Sequence, residues 1–261
     1  MKISNFLYAT LCAGVLLTGC KGKDGDPGPA GPAGPTGQNL TGSITGYANP
    51  VDEVGVSQPK AGVQVSIDNT APALTAITDA DGRYTFASVP SGSYNLTFSR
   101  AGFATTRRIG VAHIGGSQPT YAGVTAVSQP STLAITGLTA VPMGSSPALV
   151  QVTLSFVSPA PTGSFRYALF ASTTPNVTAA NGVSLAIVSA SPASPATTYQ
   201  STGNFTRFTF TNAGFAPGST VYLVAYGSTA TLSSYADPAT GRVVYPALNG
   251  VASPVATVVV P

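Results

Sequence analysis

Apolar and polar residues alternate along two long stretches of the chain, a pattern that predicts β-strands with one buried face. In the first stretch the alternation is clearest at residues 63–68, 84–86 and 94–99. In the second stretch it predicts six strands, over residues 150–156, 165–171, 183–188, 205–211, 221–226 and 255–260. Glycine, proline, aspartate and serine lie between the predicted strands, as expected for turns.

This pattern predicts an all-β protein with two β-sandwich domains in tandem. Several short strands with turns at regular intervals are typical of a sandwich, and we expect about seven strands in the first domain. We place the first sandwich at residues 40–127, a linker at residues 128–131 and the second sandwich at residues 132–261.

The first predicted sandwich contains a specific motif. Thr78-Asp79-Ala80-Asp81-Gly82-Arg83-Tyr84-Thr85-Phe86 is followed by Val89-Pro90-Ser91-Gly92-Ser93-Tyr94-Asn95-Leu96 and by Ala101-Gly102-Phe103, and Ala61-Gly62-Val63-Gln64-Val65 precedes it. This segment resembles the carboxypeptidase regulatory-like domain. The resemblance implies a seven-stranded, transthyretin-like sandwich. It does not imply peptidase activity, because the domain is an accessory module in that family.

The second predicted sandwich contains a weaker motif, Phe215-Ala216-Pro217-Gly218-Ser219-Thr220-Val221-Tyr222-Leu223-Val224. It resembles the turn and following strand of an immunoglobulin or fibronectin type III-like domain. Phe215 replaces the usual leucine, the tyrosine comes one place late, and the early-strand tryptophan is missing because the chain has no tryptophan. The resemblance implies that Tyr222 is a corner tyrosine that bonds to the backbone, which is a structural role.

The first 19 residues have the pattern of a secretory signal peptide. Lys2 supplies the positive charge, and residues 6–17 form a mostly apolar run too short to span a bilayer. The run ends at Leu17-Thr18-Gly19-Cys20, which resembles the bacterial lipobox. The resemblance implies cleavage before Cys20 and lipidation of that residue, so that Cys20 is the membrane anchor. The alternative is an ordinary secreted leader with an incidental cysteine.

Cleavage at this position leaves one cysteine, because Cys12 lies within the leader, and therefore excludes a disulfide within the mature chain. Lys21 after the lipobox favours the outer membrane by resemblance to the enterobacterial sorting rule. Residues 23–26 loosely resemble an acidic tag that exports lipoproteins to the cell surface. We therefore expect a lipid-anchored envelope protein, with surface display and a periplasmic location both open.

Glycine recurs at every third position after Cys20, at Gly22, Gly25, Gly28, Gly31, Gly34 and Gly37. This period is the requirement of a collagen triple helix, and the intervening prolines favour polyproline II geometry. Residues 20–39 therefore carry the lipidated cysteine and a collagen-like stalk. The stalk is either a homotrimeric triple helix or a monomeric semi-rigid spacer, and either form would hold the sandwiches away from the membrane.

Composition narrows the function. The formal net charge is +3 and only 7% of residues are charged, which excludes a nucleic-acid binder that needs clustered Lys and Arg. In the second half the acid is Asp237 and the bases are Arg166, Arg207 and Arg242, so no carboxylate pair or catalytic triad can form there. No phosphate-binding loop or dinucleotide fingerprint is present. We therefore predict no enzyme activity and no cofactor.

Two features of the first domain could have suggested a metal site. Asp79 and Asp81 begin like a calcium loop, but the twelfth position is Pro90 and no closing glutamate follows, which favours a hairpin turn. His113 is the single histidine, so it has no partner for a metal cluster or a catalytic dyad. We expect it to be a solvated or strand-end imidazole.

Aromatic residues offer the remaining candidate chemistry. If they cluster, four tyrosines of the second half could stack on sugar rings: Tyr199, Tyr226, Tyr235 and Tyr245. Ordinary core and loop positions are the competing interpretation. The sequence thus predicts a non-catalytic, lipid-anchored adhesion, binding or scaffold protein with a protein or carbohydrate ligand. The alternative is a glycan-binding accessory lipoprotein of an outer-membrane uptake system.

Overall fold

The computed structural model describes residues 40–143, 146–157, 165–190, 198–231 and 233–261. Strands account for 55% of the described residues and helix for 3%, which confirms the predicted all-β fold class. The predicted leader, Cys20 and the collagen-like stalk lie outside the described residues.

The first sandwich has seven strands in two sheets. In chain order they are β1 (Thr41–Val51), β2 (Gln64–Ile67), β3 (Thr75–Ile77), β4 (Arg83–Pro90), β5 (Gly92–Ser99), β6 (Thr106–His113) and β7 (Thr120–Ser128). One sheet has the order β4-β1-β7 and the other β3-β2-β5-β6. Strand β1 is antiparallel to β4 and parallel to β7. Strands β6 and β7 are therefore the end strands of their sheets, which leaves one side of each without a ladder partner.

The two sheets share one core, built from the residues that alternate along their strands. Tyr84 and Phe86 of β4 and Leu96 and Phe98 of β5 are buried in it. Polar or exposed residues separate them, as the sequence pattern predicts.

The turn at Asp79 and Asp81 differs from the predicted hairpin. It joins β3 to β4, which belong to different sheets, so it is a connection between sheets. The Asp79 carboxylate accepts hydrogen bonds from the backbone N–H groups of Asp81 at 3.0 Å and Arg83 at 2.8 Å. Gly82 has a φ of 82°, which favours glycine. The local turn chemistry was therefore predicted correctly, but the pairing of the flanking strands was not.

The second sandwich also has two sheets. Its strands are β8 (Ala134–Met143), β9 (Ser146–Val157), β10 (Phe165–Ser172), β11 (Val183–Ala190), β12 (Thr198–Thr206), β13 (Thr220–Ser228), β14 (Tyr235–Ala236), β15 (Val243–Val244) and β16 (Ala256–Val259). A sheet of order β12-β9-β8 packs on a sheet of order β11-β10-β13-β16 through a shared core. Strands β14 and β15 form a separate short pair.

The four-stranded sheet of the second sandwich is covered on both faces at its centre. Leu169 and Leu223 face the main core, whereas Phe170 and Val224 face a second cluster on the outside of the sheet. Val177 and other loop residues cover that cluster. Sheets covered on both faces have strands with near-continuous apolar runs, and β10 has such a run.

The strand predicted over residues 205–211 is wrong in its second half. Strand β12 ends at Thr206, and a short helix α1 (Arg207–Asn212) follows. The Thr206 side chain accepts a hydrogen bond from the N–H of Thr209 and so caps the helix. Phe210 is buried whereas Phe208 is 70% exposed, although a strand would place both on one face. The alternation of Phe208, Thr209 and Phe210 therefore predicted a strand where the chain forms a short helix.

Hydrogen bonds join the two sandwiches, and residues 39–261 form one compact unit. The Glu53 carboxylate accepts bonds from the backbone N–H and the hydroxyl of Thr132, both at 2.7 Å. The Glu53 carbonyl oxygen accepts a bond from the N–H of Ala230 at 2.8 Å. Ser131, in the connection, donates its N–H to the carbonyl oxygen of Ala247 at 3.0 Å. These contacts fix the second sandwich against the loop that follows β1.

Candidate functional site

A groove with a volume of about 480 Å³ lies where the two sandwiches meet. Its walls are residues 106–109 of β6, residues 124–126 of β7 and residues 233–236 of the second sandwich. The groove forms here because β6 and β7 end their sheets on the same side of the first sandwich, and the β14 segment packs across them. Both sandwiches therefore contribute to one surface.

Arg107 connects this segment to the first sandwich. Its guanidinium forms an ion pair with Asp68, and the Asp68 carboxylate also accepts a hydrogen bond from the Thr97 hydroxyl at 2.6 Å. The hydrogen bond to Asp68 raises the pKa of Arg107 above its ordinary value. The Arg107 guanidinium carbon lies 6.0 Å from the ring centroid of Tyr235, at the outer limit of a cation–π contact. Arg107 thus has a positioning role, and its charge is balanced within the protein.

Arg108, the next residue of β6, is half-buried and lies in a different environment. Its Nη1 atom donates to the carbonyl oxygen of Val124 at 3.4 Å, which is a long hydrogen bond. Among the described residues no carboxylate forms an ion pair with it. A guanidinium carries five N–H donors, so most of the donors of Arg108 have no partner among the described residues.

Gly123 makes room for the Arg108 side chain. A Cβ atom at Gly123 would lie 2.9 Å from Nη2 of Arg108, and the glycine has a φ of 84°. The register between β1 and β7 shifts at this point, so Gly123 occupies an irregularity in the strand. Any side chain here would displace the guanidinium as well as strain the backbone.

Several hydroxyl groups lie in or beside the groove. The hydroxyls of Thr125 and Ser233, which both line it, are buried and have no hydrogen-bond partner among the described residues. The Tyr84 hydroxyl is also buried without a partner. Burial raises the pKa of Tyr84 from 10.0 to about 12, the Arg108 charge opposes this shift, and Tyr121 adds to it. Arg108 and Tyr121 are thus both close enough to act on Tyr84.

Two exposed tyrosines lie on the outer face of the β4-β1-β7 sheet. Tyr47 of β1 and Tyr121 of β7 are 36% and 59% exposed, and their rings meet edge to face with centroids 6.4 Å apart. Tyr47 is paired in register with Val124, which lines the groove. The tyrosine pair therefore borders the groove. Sequence analysis missed it because β1 was not among the strands read from the alternation.

The four tyrosines singled out in the sequence do not form one platform. Tyr226 and Tyr245 pack edge to face against Phe170 in the outer cluster of the second sandwich, at 5.8 Å and 5.9 Å. Tyr235 lies apart from them in the groove. The side chain of Tyr199 lies outside the described residues. Core packing is therefore the correct interpretation for Tyr226 and Tyr245.

His113 was expected to be either a solvated or a strand-end imidazole. It lies at the end of β6 and is buried rather than solvated. It is 2% exposed, and its ring nitrogens contact the Thr120 hydroxyl at 2.6 Å and the carbonyl oxygen of Val89 at 3.0 Å. A carbonyl oxygen can only accept a hydrogen bond, so Nε2 carries a proton and donates to Val89. Nδ1 can then accept a hydrogen bond from the Thr120 hydroxyl. Both nitrogens are thereby used in the fold.

Asp79 uses one carboxylate oxygen to stabilise its own turn. Across the part of the chain that the structure describes, no group of three or more His, Cys, Asp or Glu residues could hold a metal ion. No helix in the same part is long and apolar enough to cross a membrane. Lipidation of Cys20 stays a prediction, because that residue lies outside the described ranges.

Tyr222 lies near the start of β13 and packs against the outer cluster of the second sandwich. Within the described ranges no hydrogen bond links its hydroxyl to the backbone. The corner-tyrosine role implied by the sequence resemblance is therefore not supported by a contact of this residue.

Residues 51–136 match the family model of the carboxypeptidase regulatory-like domain. This confirms the resemblance seen in the motif at residues 78–86. The match begins at the last residue of β1 and ends within β8. No curated protein matches the chain.

Some solved structures are similar to the chain at low identity. A chain of the type II cohesin–X–dockerin complex from Acetivibrio cellulolyticus, in an N-terminal interface mutant, has 22% identity and a TM-score of 0.28, over 34% of this chain and 58% of that one. A protein from Bacteroides uniformis, provisionally described as carbohydrate-binding, has 13% identity and a TM-score of 0.27, over 83% and 98%. The full-length major pilin SpaD from Corynebacterium diphtheriae has 11% identity and a TM-score of 0.25, over 84% and 65%. Such low values carry no argument about function.

Proposed function

We propose that this protein is a non-catalytic, lipid-anchored binding protein of the cell envelope, serving as an adhesion or scaffold module. The observation that carries the proposal is the groove built jointly by the two sandwiches. It brings together an unpaired guanidinium at Arg108, an aromatic ring at Tyr235 and a hydroxyl at Ser234, which are groups that bind ligands through hydrogen bonds and stacking.

The anchor in this proposal is Cys20, acylated after cleavage at the lipobox-like Leu17-Thr18-Gly19-Cys20. Acylation by several chains holds a protein on a membrane far more firmly than one chain does. The collagen-like stalk would then keep the groove away from the lipid headgroups, either as a spacer or as a homotrimer. We place the protein at the outer membrane, on the basis of Lys21.

The ligand would be a protein or a carbohydrate. A specific observation favours the second candidate function, a glycan-binding accessory lipoprotein of an outer-membrane uptake system. Tyr47 and Tyr121 are exposed beside the groove, and exposed tyrosine rings are suited to stacking on sugars.

We also propose that the second sandwich is related to the fibronectin type III class. Its three-stranded and four-stranded antiparallel sheets support the proposal, as does the Phe215–Val224 motif that leads into β13. The turn before β13 closes locally, because the Ser219 N–H and hydroxyl both donate to the carbonyl oxygen of Ala216.

Fractionation of cells labelled with radioactive palmitate tests the anchor. We expect label and protein together in the membrane fraction, with both lost in Cys20→Ala and retained in a Cys12→Ala control. Labelled Cys20→Ala protein in the membrane would contradict the lipobox assignment.

Binding is tested separately with the full lipoprotein in detergent. Affinity electrophoresis through laminarin, dextran, alginate and chondroitin sulfate, and binding to immobilised fibronectin and poly-L-glutamate, cover the ligand classes considered above. Retention by at least one probe is expected, and it should weaken when Tyr235 is changed to alanine. Migration unaffected by every polysaccharide, with no binding to either polypeptide, would contradict a binding role.

A further inference from the structure

The adjacent arginines Arg107 and Arg108 of β6 differ in whether a carboxylate neutralises their charge. Arg107 is paired with Asp68, whose other oxygen is occupied by Thr97. Arg108 is half-buried, and the hydrogen bond that its side chain makes to the described residues is a 3.4 Å bond to a backbone oxygen. The guanidinium is partly exposed, so its remaining N–H donors can be reached from solvent. The fold therefore holds a guanidinium in a groove wall and leaves most of its donors without a partner among the described residues.

The position of this guanidinium is maintained by the backbone beneath it. Arg108 lies against Gly123, where the absence of a side chain and a φ of 84° open the space that it occupies. The bond to Val124 orients the same group. A planar guanidinium held in one orientation can bind both oxygens of a carboxylate or sulfate in parallel, which a mobile surface lysine cannot do.

The surroundings of Arg108 include aromatic rings and hydroxyl groups, which are suited to contact sugars. Tyr121, two residues before Gly123, is 59% exposed and contacts the ring of Tyr47. The groove lining includes hydroxyls at Thr125, Ser233 and Ser234. Two of these, on Thr125 and Ser233, have no partner among the described residues, and side-chain rotation could direct them to a bound group.

An acidic peptide would fit this surface less well. The free edge of β7 is the place where an extended peptide could add as a strand. On that strand the carbonyl oxygen of Val124 already accepts a hydrogen bond from Arg108. The irregularity in register at Gly123 also interrupts the edge. Irregularities and charged groups of this kind block edge pairing. The favoured ligand is one that uses side-chain hydrogen bonds and stacking rather than a backbone ladder.

We propose that Arg108 binds the carboxylate or sulfate groups of an acidic polysaccharide, with a neighbouring sugar ring stacked on Tyr121. The inference rests on the proposed binding function and specifies its ligand class. Arg108 supplies the charge recognition, and the Tyr47–Tyr121 pair supplies contact area along the chain of sugars.

Affinity electrophoresis and calorimetry of the full lipoprotein in detergent test this proposal. Alginate carries carboxylates, dextran sulfate carries sulfates, and laminarin and unmodified dextran are neutral. We expect binding to at least one acidic polymer. Binding of alginate would indicate recognition of carboxylates, and binding of dextran sulfate would indicate recognition of sulfates. Arg108→Gln should weaken that binding by about tenfold to a hundredfold, the range expected for hydrogen bonds to a charged group. Arg108→Lys should restore it only in part.

Arg100→Gln is the matched control, because it removes the same charge from a residue that is half-buried like Arg108 but contacts Pro59 and Phe103 instead of the groove. Arg100→Gln should leave the affinity for the acidic polymer within twofold of the wild-type value. Tyr121→Ala should weaken binding and Tyr121→Phe should not. Thermal unfolding of each variant separates a lost contact from a lost fold.

The outcomes distinguish this inference from the wider proposal. Binding of laminarin or unmodified dextran as tight as that of both acidic polymers, or equal losses in Arg108→Gln and Arg100→Gln, would overturn the acidic-polysaccharide site and leave the binding function intact. Stronger binding of poly-L-glutamate than of either acidic polysaccharide would overturn it in favour of a peptide site. Failure of every polysaccharide and polypeptide probe would refute the binding function itself.

Discussion

The buried hydroxyl of Tyr84 gives a quantitative test of the first sandwich. Tyr84 is 1% exposed, and its ring packs edge to face against Phe86 and Phe98 with centroids 5.9 Å and 5.6 Å away. Its hydroxyl lies over Gly46, where a Cβ atom would approach within 2.4 Å, and it has no partner among the described residues. Replacement by phenylalanine keeps the ring contacts and removes only the unsatisfied group.

We predict that Tyr84→Phe stabilises the protein by about 1 to 3 kcal/mol, the cost of burying an unpaired hydroxyl. Tyr94→Phe is the matched control, because the Tyr94 hydroxyl donates to the carbonyl oxygen of Pro90 at 2.8 Å. Loss of that bond should destabilise by about 0.5 to 1.5 kcal/mol. The two substitutions are chemically identical, so their opposite signs would reflect the hydroxyl environments alone.

The pH dependence gives a second readout of the same group. Burial raises the pKa of Tyr84 in the folded protein from 10.0 to about 12, so the folded state holds its proton more tightly than the unfolded state. This contribution to stability is complete below about pH 10 and is lost as the pH rises toward 12. Between pH 9 and pH 11 the wild type should lose roughly 1 kcal/mol more than Tyr84→Phe.

Urea unfolding followed by tyrosine fluorescence and circular dichroism measures both effects, with midpoints converted to free energies at a common slope. A Tyr84→Phe protein as destabilised as Tyr94→Phe would refute the reasoning, because it would mean that the hydroxyl has a partner. Parallel pH curves for wild type and Tyr84→Phe would refute the pKa argument.

Three further changes test the junction, the packing and the stalk. Glu53→Ala should lower the free energy of unfolding by about 1 to 2 kcal/mol and speed hydrogen exchange at Thr132, because it removes both hydrogen bonds that the Glu53 carboxylate accepts from Thr132. Gly227→Ala should destabilise by about 1 to 3 kcal/mol in urea unfolding, since a Cβ there would lie 2.2 Å from the Leu133 carbonyl oxygen. Gly28→Ala should leave the sedimentation coefficient unchanged if the stalk is a monomeric spacer, the form that six triplets without hydroxyproline favour.

The first two changes have a control variant, and the third has an outcome that would contradict the prediction. Asp81→Ala removes an equal charge from an exposed turn and should leave the junction unaffected. Gly250→Ala introduces a methyl group into open space and should be neutral. Conversion of a trimer to a monomer by Gly28→Ala would show that the stalk is a triple helix.

Alternation of side chains predicted much of the fold because it reports which face of a strand is buried. Tyr94 to Ser99 was predicted as a strand and lies within β5, where Leu96 and Phe98 are buried. The same rule failed at residues 207–211, where a threonine cap and the positive φ of Gly214 favour a helical turn. Cap and C-terminal glycine signals were present in that segment and could have corrected the prediction.

Strand pairing and the groove could not be read from the sequence. The Asp79 turn has the residues of a hairpin, yet its flanking strands join different sheets, because sheet membership depends on distant partners. Arg107 and Tyr235 are far apart in the chain and meet only after both sandwiches have formed. Tyr226 and Tyr245, in contrast, resemble surface tyrosines in sequence but are covered by the loops outside β10 and β13.

Hydrogen–deuterium exchange of the full lipoprotein, with and without a probe that it retains, tests the binding groove most directly. We predict protection of peptides that contain residues 106–109, 124–126 and 233–236, with no change around Arg242 on the other side of the β14–β15 pair. Protection confined to other segments, or binding without any protection of these three, would contradict the assignment of the groove as the binding site.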